Sequence, residues 1–384
     1  MRFLHTGDWH VGKLLRGRSR IAEQEEVLQE ILHIASDSKV DCLLVCGDLY
    51  DSHAPSPDAE RLVLNFFAQV AGRRLPAVVI GGNHDHPKRL AALQQLLERW
   101  QIHVRPEPVR PDEGGVIDLE IGGEQARLAV LPFVSEGKIV DACKLMEPAE
   151  EWSQTYSERV AQMCGLLADS FQSKSVNLLL AHVHVHDAET SGSERAIHVA
   201  HPYAVDTQRF PTSAQYVALG HLHRPQDVPA PCPAAYCGST LQLDFGEQRQ
   251  DKRVVIVEAH PGCPAQIESI GLSSGRRLRI VEGTMTELEE RADSFGDDFL
   301  RVTVQVEQPV PGIADQVREI LANALEVRID YPRSETMAPR QSLSALSPAD
   351  IFAEYYQRQH GTSPPESVAQ LFGRLYEEAL DASD

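Results

Sequence analysis

The stretch Arg2-Phe3-Leu4-His5-Thr6-Gly7-Asp8-Trp9-His10 reads as a short apolar strand that ends on a carboxylate and an imidazole two residues apart. The same order recurs four times. An apolar run at 40–46 leads to Asp48 in Gly-Asp-Leu-Tyr-Asp, and one at 77–81 leads to Asn83 and His84 in Gly-Asn-His-Asp. A run at 176–181 leads to His182, and one at 216–219 to His221 and His223 in Gly-His-Leu-His. A lone Gly-Asp-x-His is more often a turn than a pair of ligands. Five such segments in order, each closing a strand pattern, describe a two-metal centre that cleaves phosphate esters. Helical periodicity covers about residues 21–36, 58–71 and 88–100 between and after the first three strands. Strands alternating with helices predict a mostly parallel sheet, in which functional groups sit on the loops leaving the strand ends.

The donor atoms narrow the chemistry. Asp, His and Asn supply oxygen and imidazole nitrogen but no thiolate, a borderline-hard set suited to Mn²⁺, Fe²⁺, Zn²⁺ or Mg²⁺. Asp8 and His10, two apart on a strand extension, are expected to face one way and grip one ion together. His221 and His223 repeat that spacing. Asp48 lies between the two sets in chain order and is the natural bridging carboxylate. Ions ~3.5–4 Å apart would activate a shared water and clamp both the attacking and the leaving oxygen of an in-line displacement. His84, beside Asn83, is placed to protonate the departing alkoxide or to stabilise the charge of the phosphate, with Asp85 expected to fix its tautomer. His184 and His186 continue the alternation begun at His182 and compete for its role.

Composition sets the bounds. The 384 residues, 42% hydrophobic and 24% charged, allow one large catalytic domain and a smaller one. No apolar run approaches the ~18 residues that cross a bilayer, and the first residues lack a signal-peptide pattern. A cytoplasmic protein with no membrane contact is expected. Seven scattered cysteines without C-x-x-C spacing argue against a disulfide framework and a structural zinc site. The net charge of −20 disfavours non-specific DNA binding. Locally, however, Lys13, Arg16, Arg18, Arg20, Lys88, Arg89 and Arg224 flank the metal segments and suggest a phosphate-binding rim. Near 271–275 the pattern changes to a small α+β unit with strands at about 299–306 and 326–329, a helix at about 313–324, and no candidate ligands. Two amphipathic helices follow, at about 349–359 and 365–380. Their stripes, Ile351, Phe352, Tyr355 and Tyr356, then Val368, Leu371, Phe372, Leu375 and Tyr376, fit either their own domain or the helix of another protein.

The five segments resemble those of the calcineurin-like metallophosphoesterase superfamily. The opening R-F-L-H-T-G-D-W-H-V-G, the V-A-L-G-H-L-H-R-P-Q segment at 217–226 and the Y-C-G-S-T segment at 236–240 are similar to the SbcD family of bacterial nuclease subunits. That resemblance implies an α/β fold: a two-sheet sandwich flanked by helices, with a small α+β capping domain and a C-terminal helical pair. Residues 1–270 would form the metallophosphoesterase nuclease domain, 271–340 the capping domain that contacts DNA, and 341–384 the helices that bind an ATPase. It implies two divalent ions, Mn²⁺, one held by Asp8, His10, Asp48 and His223, the other by Asp48, Asn83, His182 and His221. His84 would be the catalytic histidine. The implied activity is exonuclease on DNA double-strand ends and endonuclease on hairpins and single strands, in DNA repair and recombination. The implied partner is an SbcC-type coiled-coil ABC ATPase in a two-plus-two heterotetramer, with a nuclease homodimer formed through the helices near 62–67 and 93–97. A small-molecule phosphodiesterase or phosphoprotein phosphatase on the same dinuclear centre is the alternative reading.

Overall fold

The computed structural model describes residues 1–135, 138–140, 142–143, 155–194, 204–308, 310–332, 348–360 and 362–381. The run Cys42-Leu43-Leu44-Val45-Cys46 shows how it is built. All five residues are buried, because a parallel strand inside a sandwich is covered on both faces. Leu43 and Val45 point to a helical layer, while Cys42, Leu44 and Cys46 point to a second sheet.

In chain order the strands are β1 (Arg2–Thr6), a short hairpin of β2 (Leu14–Leu15) and β3 (Arg18–Ser19), β4 (Cys42–Cys46), β5 (Ala77–Ile80), β6 (Ile102–Arg105), β7 (Val116–Ile121) and β8 (Glu124–Leu131). Then come β9 (Val176–His182), β10 (Tyr216–Gly220), β11 (Gln226–Asp227), β12 (Ala234–Tyr236), β13 (Arg253–His260) and β14 (Cys263–Gly271). Among the described residues they form two six-stranded sheets, β14-β13-β1-β4-β5-β6 and β11-β12-β10-β9-β8-β7. The centre of each is parallel, with β1, β4, β5 and β6 in one and β12, β10, β9 and β8 in the other. Phe3, Leu44, Val78, Leu128, Leu178 and Tyr216 fill the layer between the sheets. The helices Ile21–Asp37, Pro57–Gly72 and Pro87–Glu98 cover the outer face of the first sheet, and Tyr156–Ala168 covers that of the second. The sandwich expected from sequence is therefore present. The antiparallel hairpin β13–β14, which extends the first sheet beside β1, had not been anticipated.

Helix Pro57–Gly72 starts where Ser56 accepts the Ala59 N–H and Pro57 occupies the first turn. Its buried stripe, Ala59, Leu62, Val63, Phe66, Phe67 and Val70, has helical period and lies on the first sheet. Phe66 meets the Trp9 ring edge-on at 4.8 Å and so pins the loop that follows β1. Of the apolar side chains at 62–67, expected at a homodimer contact, Leu62, Val63, Phe66 and Phe67 are engaged in the chain's own core, while Leu64 is half-buried outside it.

The strands β15 (Leu278–Gly283), β16 (Phe299–Gln305) and β17 (Ala324–Asp330) form a small parallel sheet. With helices Met285–Glu290 and Ile313–Ile320 it encloses its own core of Val281, Leu288, Val302, Val304 and Val317. Leu278 and Phe299 pack against Leu15 and Phe245 of the larger part. Arginines reinforce this seat. Arg18 and Arg276 each lie 5.0 Å from the Phe299 ring, and Arg301 lies 4.6 Å from that of Phe245. Glu326 accepts from Nε of both Arg16 and Arg301 at 2.8 Å. The phosphate-rim expectation is corrected here for five of its seven residues. Arg16 pairs with Asp244 and Glu326, Arg20 with Glu23, Arg89 with Glu60, Arg224 with Glu189 and Lys13 with Asp51. On so acidic a chain, carboxylates are at hand to claim these cations.

Residues Met1–Val306 and Val310–Asp330 form one compact unit, and the described residues beyond them form a second. In the second, Phe352 of helix Pro348–His360 stacks on Phe372 of helix Glu366–Asp381, with ring centroids 4.2 Å apart and an interplanar angle of 4°. Ile351, Tyr355, Leu371 and Leu375 are exposed. No helix among the described residues is long and apolar enough to cross a membrane.

Candidate metal centre

The loops leaving β1, β4, β5, β9 and β10 converge, and the backbone there leaves its usual range. Asp8, His10, Asp48 and His221 have φ of 48°, 46°, 51° and 104°. Each such residue costs on the order of 1–3 kcal/mol and persists only where its surroundings impose it. Asp8 N–H donates to Gly47 O and His10 N–H to Asp48 O, both at 3.0 Å. Asp8 and His10 therefore reach one centre through left-handed turns, not through the strand pleat expected from their spacing. The preceding glycines make room. A Cβ at Gly47 would lie 2.2 Å from His182 Nδ1, and one at Gly82 would lie 2.1 Å from Asp48 Oδ1.

Asp48 stands in the middle. Its Oδ2 is 3.5 Å from His10 Nε2 and 3.6 Å from His182 Nε2. On one side, His10 Nε2 and His223 Nε2 approach to 3.0 Å. The donor atoms of Asp8, His10, Asp48 and His223 all lie within 4.8 Å of one another. On the other side, Asn83 Oδ1 is 3.0 Å from His182 Nε2 and 2.9 Å from His221 Nδ1. Both Asp8 oxygens accept the His221 N–H, at 3.0 and 3.1 Å. All seven expected ligands are thus buried together. His182 is the histidine of its segment that meets Asp48 and Asn83, while His184 and His186 are half-buried in the following loop.

These atoms fit divalent cations. His182 Nδ1 donates to the Cys46 carbonyl at 2.8 Å. A carbonyl only accepts, so the Nε2 lone pair is turned towards the Asp48 and Asn83 oxygens. Lone pairs facing one another across 3.0–3.6 Å in a dry pocket require something positive between them. The titration pattern agrees. Burial pushes His182 down, but the Asp48 and Asp8 carboxylates outweigh it and hold the imidazole up at about 9. Burial pushes Asp8 up to about 7 against the pull of His182 and His223. For Asp48, burial is overcome by the charges of His182 and His84, which hold it well below the usual carboxylate range. Protons gather where a cation would sit.

His84 borders this cluster. Its backbone N–H donates to Asp48 Oδ1 at 2.8 Å, and Nδ1 donates to the Asp51 carbonyl at 2.7 Å. The proton is thereby placed on Nδ1, which leaves Nε2 to exchange one. The expected role of Asp85 is corrected. Its carboxylate accepts the N–H groups of Gly82, Tyr50 and Leu49 at 3.0, 3.1 and 3.2 Å, tying two loops together, while a backbone carbonyl orients His84. Sequence reasoning also missed Asp51, 3.3 Å from His10 Nδ1. Its signal was available as the second aspartate of Gly-Asp-Leu-Tyr-Asp. It missed Ser193, Glu247 and Lys252 behind His223 as well, where no local signal exists.

The model of the calcineurin-like phosphoesterase family matches residues 1–225. That of the type 5 capsule protein repressor C-terminal domain matches 274–360 and so runs past the boundary expected at 340 into helix Pro348–His360. The chain is 31% identical to the SbcD component of the SbcCD nuclease from Bacillus subtilis (strain 168), over 98% of this chain and 97% of that one. It is 30% identical to the protein so named from Rhodobacter capsulatus, over 92% and 94% of the two chains. For the Staphylococcus epidermidis protein of that name the identity is 27%, over 75% and 74%. Strand-end carboxylate, amide and imidazole groups gathered on a two-sheet sandwich, together with likeness along nearly the whole length, lead to one assignment: the chain belongs to the calcineurin-like phosphoesterase family and, within it, to the SbcD nucleases.

Proposed function

We propose that the chain is a metal-dependent DNA nuclease, acting as exonuclease on double-strand ends and as endonuclease on hairpins in DNA repair and recombination. The observation that carries this reading is Asp48, whose one carboxylate oxygen lies almost equally far from His10 and His182. In this reading Asp8, His10, Asp48 and His223 hold one Mn²⁺, and Asp48, Asn83, His182 and His221 hold the second. Bound there, the ions would supply Lewis acidity towards the phosphate and a nucleophile at neutral pH. The side chains do the remainder. Water loses a proton to solvent as its oxygen bonds to phosphorus, the ester P–O bond breaks, and the departing alkoxide takes its proton from His84 Nε2, which solvent then reprotonates. The Asp51 carbonyl keeps the other ring proton in place throughout.

The small β15–β17 unit would contact DNA as a cap. The exposed Ile351, Tyr355, Leu371 and Leu375 support reading the tail helices as a platform for the coiled-coil base of an SbcC-type ATPase, in a cytoplasmic two-plus-two assembly that contains a nuclease homodimer. The net charge of −20 favours the alternative of a small-substrate phosphodiesterase or phosphatase. The additional units and the nuclease relatives weigh more heavily against it. The deciding assay offers the purified chain, with Mn²⁺, hairpin DNA, linear duplex, cyclic nucleotides and a phosphopeptide. Cleavage of the two DNA substrates is expected, and activity confined to the last two would overturn the reading. Deleting residues 345–384 should abolish co-purification with the ATPase while metal content is kept. A retained complex would show that the tail is not the platform.

A further inference from the structure

A buried polar relay lies behind His223 that the cleavage chemistry does not use. Ser193 Oγ is 2.6 Å from His223 Nδ1 and donates to Glu247 Oε1, which is itself 3.5 Å from Nδ1. The other Glu247 oxygen accepts from Lys252 Nζ at 2.6 Å, Leu243 N–H at 3.1 Å and Ser239 Oγ at 3.3 Å. Lys252 Nζ also donates to the His223 carbonyl at 2.9 Å, and Glu194 accepts the His223 N–H at 3.1 Å. Glu247 is fully buried and the Lys252 side chain nearly so. Burying two full charges costs more in desolvation than their attraction commonly returns, so such a pair calls for an explanation beyond stability. Here the contacts of the pair, with Ser193 and Glu194, converge on one residue, His223, at its carbonyl, its ring and its amide.

The proton directions are forced. An ionised carboxylate only accepts, so the single Ser193 hydroxyl proton goes to Glu247. The Ser193 oxygen must then accept the proton of His223 Nδ1. That tautomer places the Nε2 lone pair on the side facing His10 and Asp8. The short 3₁₀ turn Phe245–Glu247 that carries the carboxylate is itself fixed. Asp244 accepts the Gly246 N–H, and Phe245 is buried against Leu15, Leu278 and Phe299. We propose that Glu247 is the positioning residue of His223: through Ser193 it sets the ring rotation and the tautomer that offer Nε2 to a divalent cation. The inference rests on reading His223 as a ligand.

The test is Mn²⁺ titration of the full chain by calorimetry, with Glu247→Gln/Lys252→Met, Ser193→Ala and His223→Ala compared with the wild type, and thermal melts of each metal-free form. The double variant removes both buried charges together, so neither is left unpaired. If it does not fold, Ser193→Ala, which deletes only the relay hydroxyl, carries the test. The expected result is a loss of about 10–100-fold in affinity for one ion, the one lost in His223→Ala, while the other ion binds as in the wild type. If His223→Ala loses an ion while the folded relay variants bind both normally, Glu247 does not position it. If His223→Ala itself binds both ions normally, the ligand reading fails first and the proposal with it.

Discussion

Gly47→Ala should disable the centre without removing any of its donor atoms. Gly47 has φ +87°, and a Cβ there would sit 2.2 Å from His182 Nδ1 and 2.9 Å from both Cγ and Cε1 of the ring. Real Cβ contacts essentially never fall below 3.0 Å. The backbone conformation alone costs an L-residue about 1–2 kcal/mol, and forcing a side chain into a packed interior adds roughly 1–3 kcal/mol. If the His182 ring holds its place, the metal-free chain should therefore lose about 2–5 kcal/mol of unfolding free energy. If the ring yields, its 2.8 Å bond to Cys46 breaks, and Nε2 no longer faces Asp48 and Asn83. Stability is then partly recovered, but the second ion is held weakly, and the extra stability that Mn²⁺ confers shrinks in proportion to RT times the logarithm of the affinity lost. Urea unfolding of metal-free and Mn²⁺-saturated protein separates the two routes. Gly122→Ala is the control: φ is +63° and no atom lies within 4 Å of the added carbon, so only the backbone cost should appear. Wild-type midpoints under both conditions, with two ions bound, would refute the close approach of Gly47 to His182.

Four further outcomes follow from the site and its surroundings. His84→Gln should lower kcat by roughly 10²–10⁴-fold while both ions remain bound, because it is the residue's backbone N–H that meets Asp48; undiminished turnover would remove His84 from the reaction. His182, held up at about 9 chiefly by Asp48 in opposition to burial, is protonated in the metal-free chain at neutral pH, and metal must displace that proton. Mn²⁺ affinity should rise between pH 7 and about 9, with proton release measurable in weak buffer, and a flat profile would contradict the assignment. The same raised pKa stabilises the metal-free fold fully below pH 6.5, and this stability is lost as pH rises through about 9, so metal-free and loaded forms should diverge over that window. Glu326→Gln removes a carboxylate shared by Arg16, Arg301 and Arg328 in a partly exposed network, for an expected loss of about 1 kcal/mol. Unchanged thermal midpoints and unchanged proteolysis near residues 271–277 would show that this network does not seat the small unit.

Much of the centre was legible in one dimension because parallel strands buried on both faces appear as unbroken apolar runs, and their ligands come directly after them. The apolar runs at 40–46, 77–81, 176–181 and 216–219 fall within two residues of β4, β5, β9 and β10, and the seven candidate ligand positions followed from the segments at their ends. Other features were decided only by folding. Arg16 meets Glu326 across 310 residues, and His10 meets His223 across 213. No periodicity or spacing records such distances, so Arg16, Arg20, Arg89 and Arg224 looked available for phosphate until the folded chain paired them. Asp85 stood next to His84 and suggested itself as its partner, yet three backbone N–H groups nearer in space hold its carboxylate. Which donors share an ion, which carboxylate steadies which imidazole, and which cations stay free are questions of proximity, and proximity between distant segments arises only when the two sheets close on one another.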